Sequence, residues 1–223
     1  MGKRFIIVIY VDDMVIMTKD QEIMDMIEKK LNEDMKVKNL GKLEKFCGIG
    51  IKRKNRNFLL SQKEAIESLA IKFGLENINF SKKMIPMGEF HDFAVEEIDN
   101  SYPIRSIIGS LHFIAGRTRP DITTAINYLS RFQSKPSKML WETCKRVLKY
   151  LISTKEKVLV LSGEGEDVIL VYSDASQPND GKAISGVIIK INGSTVSWLS
   201  RRQSVVATST AEAELYAMSL AID

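Results

Sequence analysis

Two adjacent carboxylates interrupt an apolar stretch near the start of the chain, in Ile6-Ile7-Val8-Ile9-Tyr10-Val11-Asp12-Asp13-Met14-Val15-Ile16-Met17. The run from Phe5 to Val11 is apolar and β-branched on both alternating faces, the pattern of a strand buried on both sides. A second apolar run follows the acids, so the spacing predicts an antiparallel hairpin of Phe5–Val11 and Met14–Met17, with Asp12 and Asp13 at its turn. A two-residue turn with positive φ at both central positions favours Asn-Gly or Asp-Gly, and Asp-Asp suits that geometry poorly. Two neighbouring like charges on a buried hairpin cost free energy unless a cation neutralises them. Carboxylate oxygens are hard ligands suited to Mg²⁺, so the pair reads as a metal site, with a plain turn as the competing reading.

Tyr10-Val11-Asp12-Asp13 between apolar runs resembles the palm hairpin of reverse transcriptases. The resemblance implies that Asp12 and Asp13 are catalytic acids that hold Mg²⁺, and that Tyr10 lies near the primer end. Phosphoryl transfer of this kind uses two metals roughly 3.5–4 Å apart to clamp the attacking and leaving oxygens, and carboxylates hold the metals.

A chain of 223 residues can bury a core of its own and suggests one or two domains. The net charge of +4 and pI near 8.9 suit a polyanionic partner without demanding one. Cys47 and Cys144 are far apart without metal-ligand spacing, and His91 and His112 are isolated, which argues against zinc and for cysteines acting as small hydrophobes. No stretch reaches transmembrane length, and the basic, apolar N-terminus lacks a signal-peptide cleavage site, so no membrane partner and an intracellular, reducing location are expected.

Asp20 is placed to cap a helix with Ile23, Met24, Ile27, Leu31 and Met35 on one face. Two strands, Leu43–Lys52 and Phe58–Leu60, flank the polar turn Arg53-Lys54-Asn55-Arg56-Asn57. Ser61-Gln62-Lys63-Glu64 fits a capping box, opening a helix that Gly74 stops. Residues 77–102 read as an irregular, exposed connector. Helices are expected over Arg105–Ala115, Asp121–Phe132 and Lys138–Ile152, the last carrying Lys145, Arg146 and Lys149 on a polar face. That face is either solvated or in contact with a nucleic-acid backbone.

From Lys157 the pattern turns to strands: Val158–Leu161, Val168–Tyr172, Ala183–Ile191 and Ser194–Ser200, with Asn192-Gly193 as a strong hairpin signal. A helix begins near Thr210. Asp174 closes one strand and Glu214 sits a turn into that helix, a workable start for a second two-metal site. The order strand, Asp, hairpin, helix with Glu, in Tyr172-Ser173-Asp174-Ala175 and Ala213-Glu214-Leu215, resembles the ribonuclease H fold.

Taken together the chain resembles the Pol polyprotein of copia-type LTR retrotransposons. Further matching segments are Leu60-Ser61-Gln62, Ile108-Gly109-Ser110-Leu111, Thr118-Arg119-Pro120-Asp121-Ile122, Leu129-Ser130-Arg131-Phe132, Ser197-Trp198-Leu199-Ser200-Arg201-Arg202-Gln203 and Ser209-Thr210-Ala211-Glu212-Ala213-Glu214. The resemblance implies an α/β (α+β) chain: a partial reverse transcriptase palm over 1–90, a helical thumb or connection region over 91–156, and an incomplete ribonuclease H-like domain over 157–223. It implies Asp12, Asp13, Asp174 and Glu214 as catalytic and metal-holding residues. RNA/DNA template-primer or hybrid and remaining Pol segments are the expected partners. Tyr10, Lys145, Arg146, Lys149, Arg201 and Arg202 are the expected nucleic-acid contacts. Each site of the family needs further aspartates, so the chain alone is expected to lack activity. Asp223 cannot be assumed to replace one of them. The alternative is a co-opted nucleic-acid-binding or interaction module without catalysis.

Overall fold

The computed structural model of the protein describes residues 4–76, 93, 97–165, 167–176 and 181–222. They divide into two compact units, one ending at Ile51 and one beginning at Lys52. His91, Asp223 and most of the expected connector lie outside the described residues.

In the first unit, β1 (Phe5–Tyr10) pairs antiparallel with β2 (Asp13–Thr18), from Phe5↔Thr18 to Tyr10↔Asp13. The hairpin is present, but β1 is not buried on both faces as its composition suggested. Ile6 is 60% and Ile9 67% exposed, and among the described residues β2 is the sole strand paired with β1. Helix α1 (Gln21–Asp34) follows, its N-terminus capped by Asp20, whose carboxylate accepts from the Glu22 amide at 3.0 Å. Ile23 and Ile27, one turn apart, are its buried residues.

The strand expected over Leu43–Lys52 is instead two, β3 (Lys45–Phe46) and β4 (Ile49–Lys54), folded back at Cys47-Gly48. Both turn residues have positive φ, +49° and +76°, the primed-turn geometry that glycine in the second position favours.

The second unit is built around helices. Strand β5 (Asn57–Ser61) leads into α2 (Lys63–Lys72), where the Ser61 hydroxyl accepts from the Lys63 amide at 3.2 Å. Helices α3 (Ile104–Ala115), α4 (Thr123–Ser130) and α5 (Lys138–Ser153) follow, with a 3₁₀ turn over Pro120–Ile122 opening α4. Their apolar faces form one core containing Ile66, Ile107, Leu111, Ile126, Leu140, Cys144 and Leu148. Phe93 is also buried there, edge-on to Phe132, so this part of the connector is not exposed. Burial pushes the Cys144 thiol up to about 12, as befits a cysteine packed as a small hydrophobe.

Strand β6 (Leu159–Leu161) returns to pair with β5, Leu59↔Val160, so chain beyond residue 157 is woven into the helical region before it. A three-stranded antiparallel sheet follows: β7 (Ile169–Ser176), β8 (Ile184–Ile191) and β9 (Ser194–Arg202). Asn192 and Gly193, at φ +50° and +76°, form the β8–β9 turn that Asn-Gly announces. The closing helix α6 (Thr210–Ile222) packs on β7 and β8 through Ala213 and Ala217.

A buried polar network ties the helices. Arg119 is 2% exposed, and its guanidinium donates to both Asp121 carboxylate oxygens, at 2.9 and 2.8 Å, and to the Thr154 carbonyl and hydroxyl oxygens, at 3.2 and 2.6 Å. The Tyr150 hydroxyl donates to Asp121 at 2.7 Å. Burial acts to raise the Asp121 carboxyl, but the hydrogen bonds from Arg119 and Tyr150, with the charges of Arg119 and Lys157, outweigh it and hold the group below its ordinary value. A depressed folded-state pKa stabilises the fold above the unfolded carboxylate pKa, and that contribution disappears as pH falls through the folded value. Asp121→Asn should therefore cost about 3 kcal/mol near neutral pH, leaving a buried guanidinium short of its counter-charge, with the difference vanishing in acid. Urea denaturation of both proteins across pH checks this; an equal deficit at pH 3 would contradict it.

Candidate functional site

The acid pair sits at the tip of the β1–β2 ribbon, though not as a symmetric two-residue turn. Tyr10 pairs with Asp13, so Val11 and Asp12 form the loop and Asp13 is the first residue of β2. Tyr10 and Asp13, directly opposite, project to the same side of the ribbon. The Tyr10 ring meets Phe46 edge-on, with centroids 6.3 Å apart, while both acids stay exposed. Val11 has φ +52° and is 81% exposed. A β-branched residue in that region is strained by roughly 1–3 kcal/mol, and such strain gathers at functional tips.

Mg²⁺ is commonly held by one or two carboxylates together with substrate phosphates and water, and Asp12 with Asp13 fits the protein's share of such a site. Among the described residues no group of three or more His, Cys, Asp or Glu side chains could hold a metal ion.

The second unit carries the other two acids. Asp174 is exposed on β7, across from Gly186 of β8, and Glu214 is half-buried on α6. Their elements pack together, but strand pleating sends Asp174 to the face opposite Ala175, the residue packed with Ala213. In Ser209-Thr210-Ala211-Glu212-Ala213-Glu214 the two glutamates differ in task. Glu212 accepts from the Thr208 amide and hydroxyl, at 2.6 and 2.7 Å, which caps the helix and lowers its pKa.

Gln203 escaped the sequence reading as a site residue. It is 8% exposed, and its amide nitrogen donates to the Ser185 hydroxyl on β8 at 2.9 Å and to the Ala213 carbonyl on α6 at 2.8 Å. It thus sets the helix bearing Glu214 against the sheet. Trp198 and Asn127 were missed as well. The Trp198 indole donates to the Ala115 carbonyl at 2.9 Å, and the Asn127 amide to the Ser200 carbonyl at 2.6 Å, seating β9 on α3 and α4. Two segments far apart in the sequence also meet, as the Thr118 hydroxyl donates to buried Gln62 at 2.8 Å.

The expected cationic contacts lie on two elements, α5 and β9. Lys145 pairs with Glu142 at 2.6 Å and lies over the Trp141 ring, whereas Arg146 is exposed and Lys149 half-buried. Arg201 and Arg202 are consecutive on β9, so their side chains leave opposite faces.

Residues 1–89 match the family described as reverse transcriptase (RNA-dependent DNA polymerase). Similarity to Pol polyproteins runs along almost the whole chain. It is 34% identical to a retrovirus-related Pol polyprotein from transposon TNT 1-94 of Nicotiana tabacum, over 95% of this chain and 17% of the relative. Residues 1–89 belong to the reverse transcriptase family, and the chain as a whole is similar to Pol polyproteins of copia-type transposons. It is 29% identical to the transposon RE1 Pol polyprotein of Arabidopsis thaliana, over 96% of this chain and 15% of the relative. A putative transposon Ty5-1 protein of Saccharomyces cerevisiae is also 29% identical, over 93% of this chain and 70% of that protein. The chain thus spans less than a fifth of the tobacco and Arabidopsis polyproteins. No solved structure matches.

Relief of the strain at Val11 should outweigh the roughly 0.5–1 kcal/mol that glycine costs in chain entropy. Val11→Gly should therefore slow hydrogen exchange of the β1–β2 amides or leave it unchanged, and Val11→Ala should bring no such gain. Faster exchange in the glycine variant would contradict the assignment of strain.

Proposed function

We propose that this chain is a segment of a retrotransposon RNA-directed DNA polymerase and ribonuclease H that carries the acid-pair hairpin of the polymerase but does no chemistry alone. The observation that carries the reading is the ribbon tip, where Asp12 and Asp13 are exposed and Tyr10 stands opposite Asp13. There the acids would hold Mg²⁺, which when bound acts as a Lewis acid on the primer hydroxyl and the leaving pyrophosphate. The exposed acids leave room for substrate phosphates to complete the coordination, and the Tyr10 ring, braced by Phe46, offers a flat apolar face beside them. Template-primer or hybrid and the remaining Pol segments are the partners in this reading, in an intracellular setting.

The ribonuclease H reading is supported by the order of β7, β8, β9 and α6 and by Gln203 fixing α6, while Asp174 leaves β7 on the face away from α6 and is not brought to Glu214 by that packing. Inactivity is supported by the carboxylates among the described residues: two metals in octahedral geometry need more protein ligands than either acid pair supplies, and no larger group of acids is found there.

The full chain, given a template-primer and Mg²⁺, should extend no primer and cut no RNA–DNA hybrid above background. Mg²⁺-dependent extension abolished by Asp12→Asn with Asp13→Asn, or hybrid cleavage abolished by Asp174→Asn, would overturn the inactive reading.

A further inference from the structure

The end of β4 and the turn into β5 carry Lys52, Arg53, Lys54 and Arg56, four cations within five residues, all exposed. The whole protein has 32 basic and 28 acidic side chains, a net charge of +4. This one turn therefore holds a charge equal to the surplus of the entire chain, and the remaining charges cancel. Three other cations of the second unit meet acids: Lys63 with Glu156, Lys155 with Glu67 and Lys145 with Glu142, each at 2.6 Å. Among the described residues no acid pairs with any of the four at the turn.

The turn is also built to hold its shape. Asn55 takes a left-handed φ of +56°, which closes a two-residue reversal through Asn55 and Arg56. The chain at Gly163 passes so close that a Cβ there would collide with the Arg56 carbonyl oxygen, and the Gly163 amide donates to the Asn57 side chain at 3.3 Å. Arg53 lies 5.8 Å over the ring of Phe58, itself 41% exposed, which places an aromatic face beside Arg53, on the face of β4 opposite Lys52 and Lys54. Clustered cations beside an exposed ring are the chemistry that grips a phosphodiester backbone, with charge on the phosphates and stacking on a base or sugar.

We infer that the β4–β5 turn is a sequence-indifferent contact for the nucleic-acid backbone, made by Lys52 and Lys54 on one face of β4, by Arg53 with Phe58 on the other, and by Arg56 at the tip. The inference rests on the nucleic-acid reading above and adds a surface distinct from the acid-pair tip and from the cations of α5 and β9. Four phosphate contacts on a duplex release counterions with a logarithmic salt slope of about −3.6, a loss of about a hundred-fold in affinity between roughly 50 and 200 mM salt.

The test titrates the full chain against a fluorescein-labelled RNA–DNA hybrid at several salt concentrations, beside the variant Lys52→Ala, Arg53→Ala, Lys54→Ala, Arg56→Ala. The variant should lose at least about tenfold in low-salt affinity, and its slope should flatten by about three to four. Lys52→Gln with Lys54→Gln, which spares the Arg53–Phe58 contact, should flatten the slope by about two, and circular dichroism should show both variants folded. Hybrid binding by the wild type that keeps its slope in both folded variants would overturn this inference while leaving the nucleic-acid reading intact. Absence of wild-type binding even at low salt would overturn both. Vesicles of phosphatidylcholine and phosphatidylserine form a separate arm. Vesicle binding lost in the four-residue variant while hybrid binding persists would assign the turn to a membrane surface and overturn the inference.

Discussion

The Arg119 guanidinium is the one charged side chain fully buried among the described residues, and much of the second unit is arranged to satisfy it. A buried cation is tolerated only when its donors and its charge are matched. Asp121 does this two residues on, and Thr154 does it from the end of α5. Meeting both fixes the corner between α3 and α4 against α5. Gln62 then reaches Thr118, next to Arg119, which brings the start of α2 to the same corner. The corner in turn is where the β-sheet is seated, because Trp198 bonds to the last residue of α3 and Asn127 of α4 bonds to β9. Helices and sheet are thereby held by a short relay of directional contacts around an apolar core.

The first unit is organised on a different principle. Its hairpin buries little, and its acids need no partner because water solvates them. An exposed ribbon with a strained valine at its tip is suited to presenting two carboxylates to a ligand. It is poorly suited to holding them rigid, since a lone two-stranded ribbon has marginal stability. Positioning of the acids therefore depends on what binds the ribbon more than on its own packing.

The parts of the fold legible in the sequence are those governed by local rules. Asp20 caps its helix as its residue type suggests, and Asn192-Gly193 turns the β8–β9 hairpin. The acid-pair hairpin was legible from its two apolar runs, but its loop was not. Strand register chose Val11-Asp12 over Asp12-Asp13, and register is set by pairing along the ribbon rather than by the turn residues alone. The burial of β1 was misread because apolar composition says what a strand could cover, not whether a layer exists to cover it. Cys47-Gly48 hid a turn inside the expected strand, where Gly48, one of its two glycines, was the available signal. Gln203, Trp198 and Asn127 were illegible as organising residues because each acts through a bond to a backbone carbonyl far along the chain, which no sequence pattern encodes.

A chain that presents its acids on a thin ribbon and keeps its stability in a separate helical core should open in two stages. Native-state hydrogen exchange followed by mass spectrometry resolves them directly. Amides of β1 and β2 should exchange through local openings of small free energy, and those of α3 and α5 only on global unfolding, with no coupling between the two rates as denaturant is added. Protection of the ribbon equal to that of α3 and α5, lost in the same transition, would contradict the account.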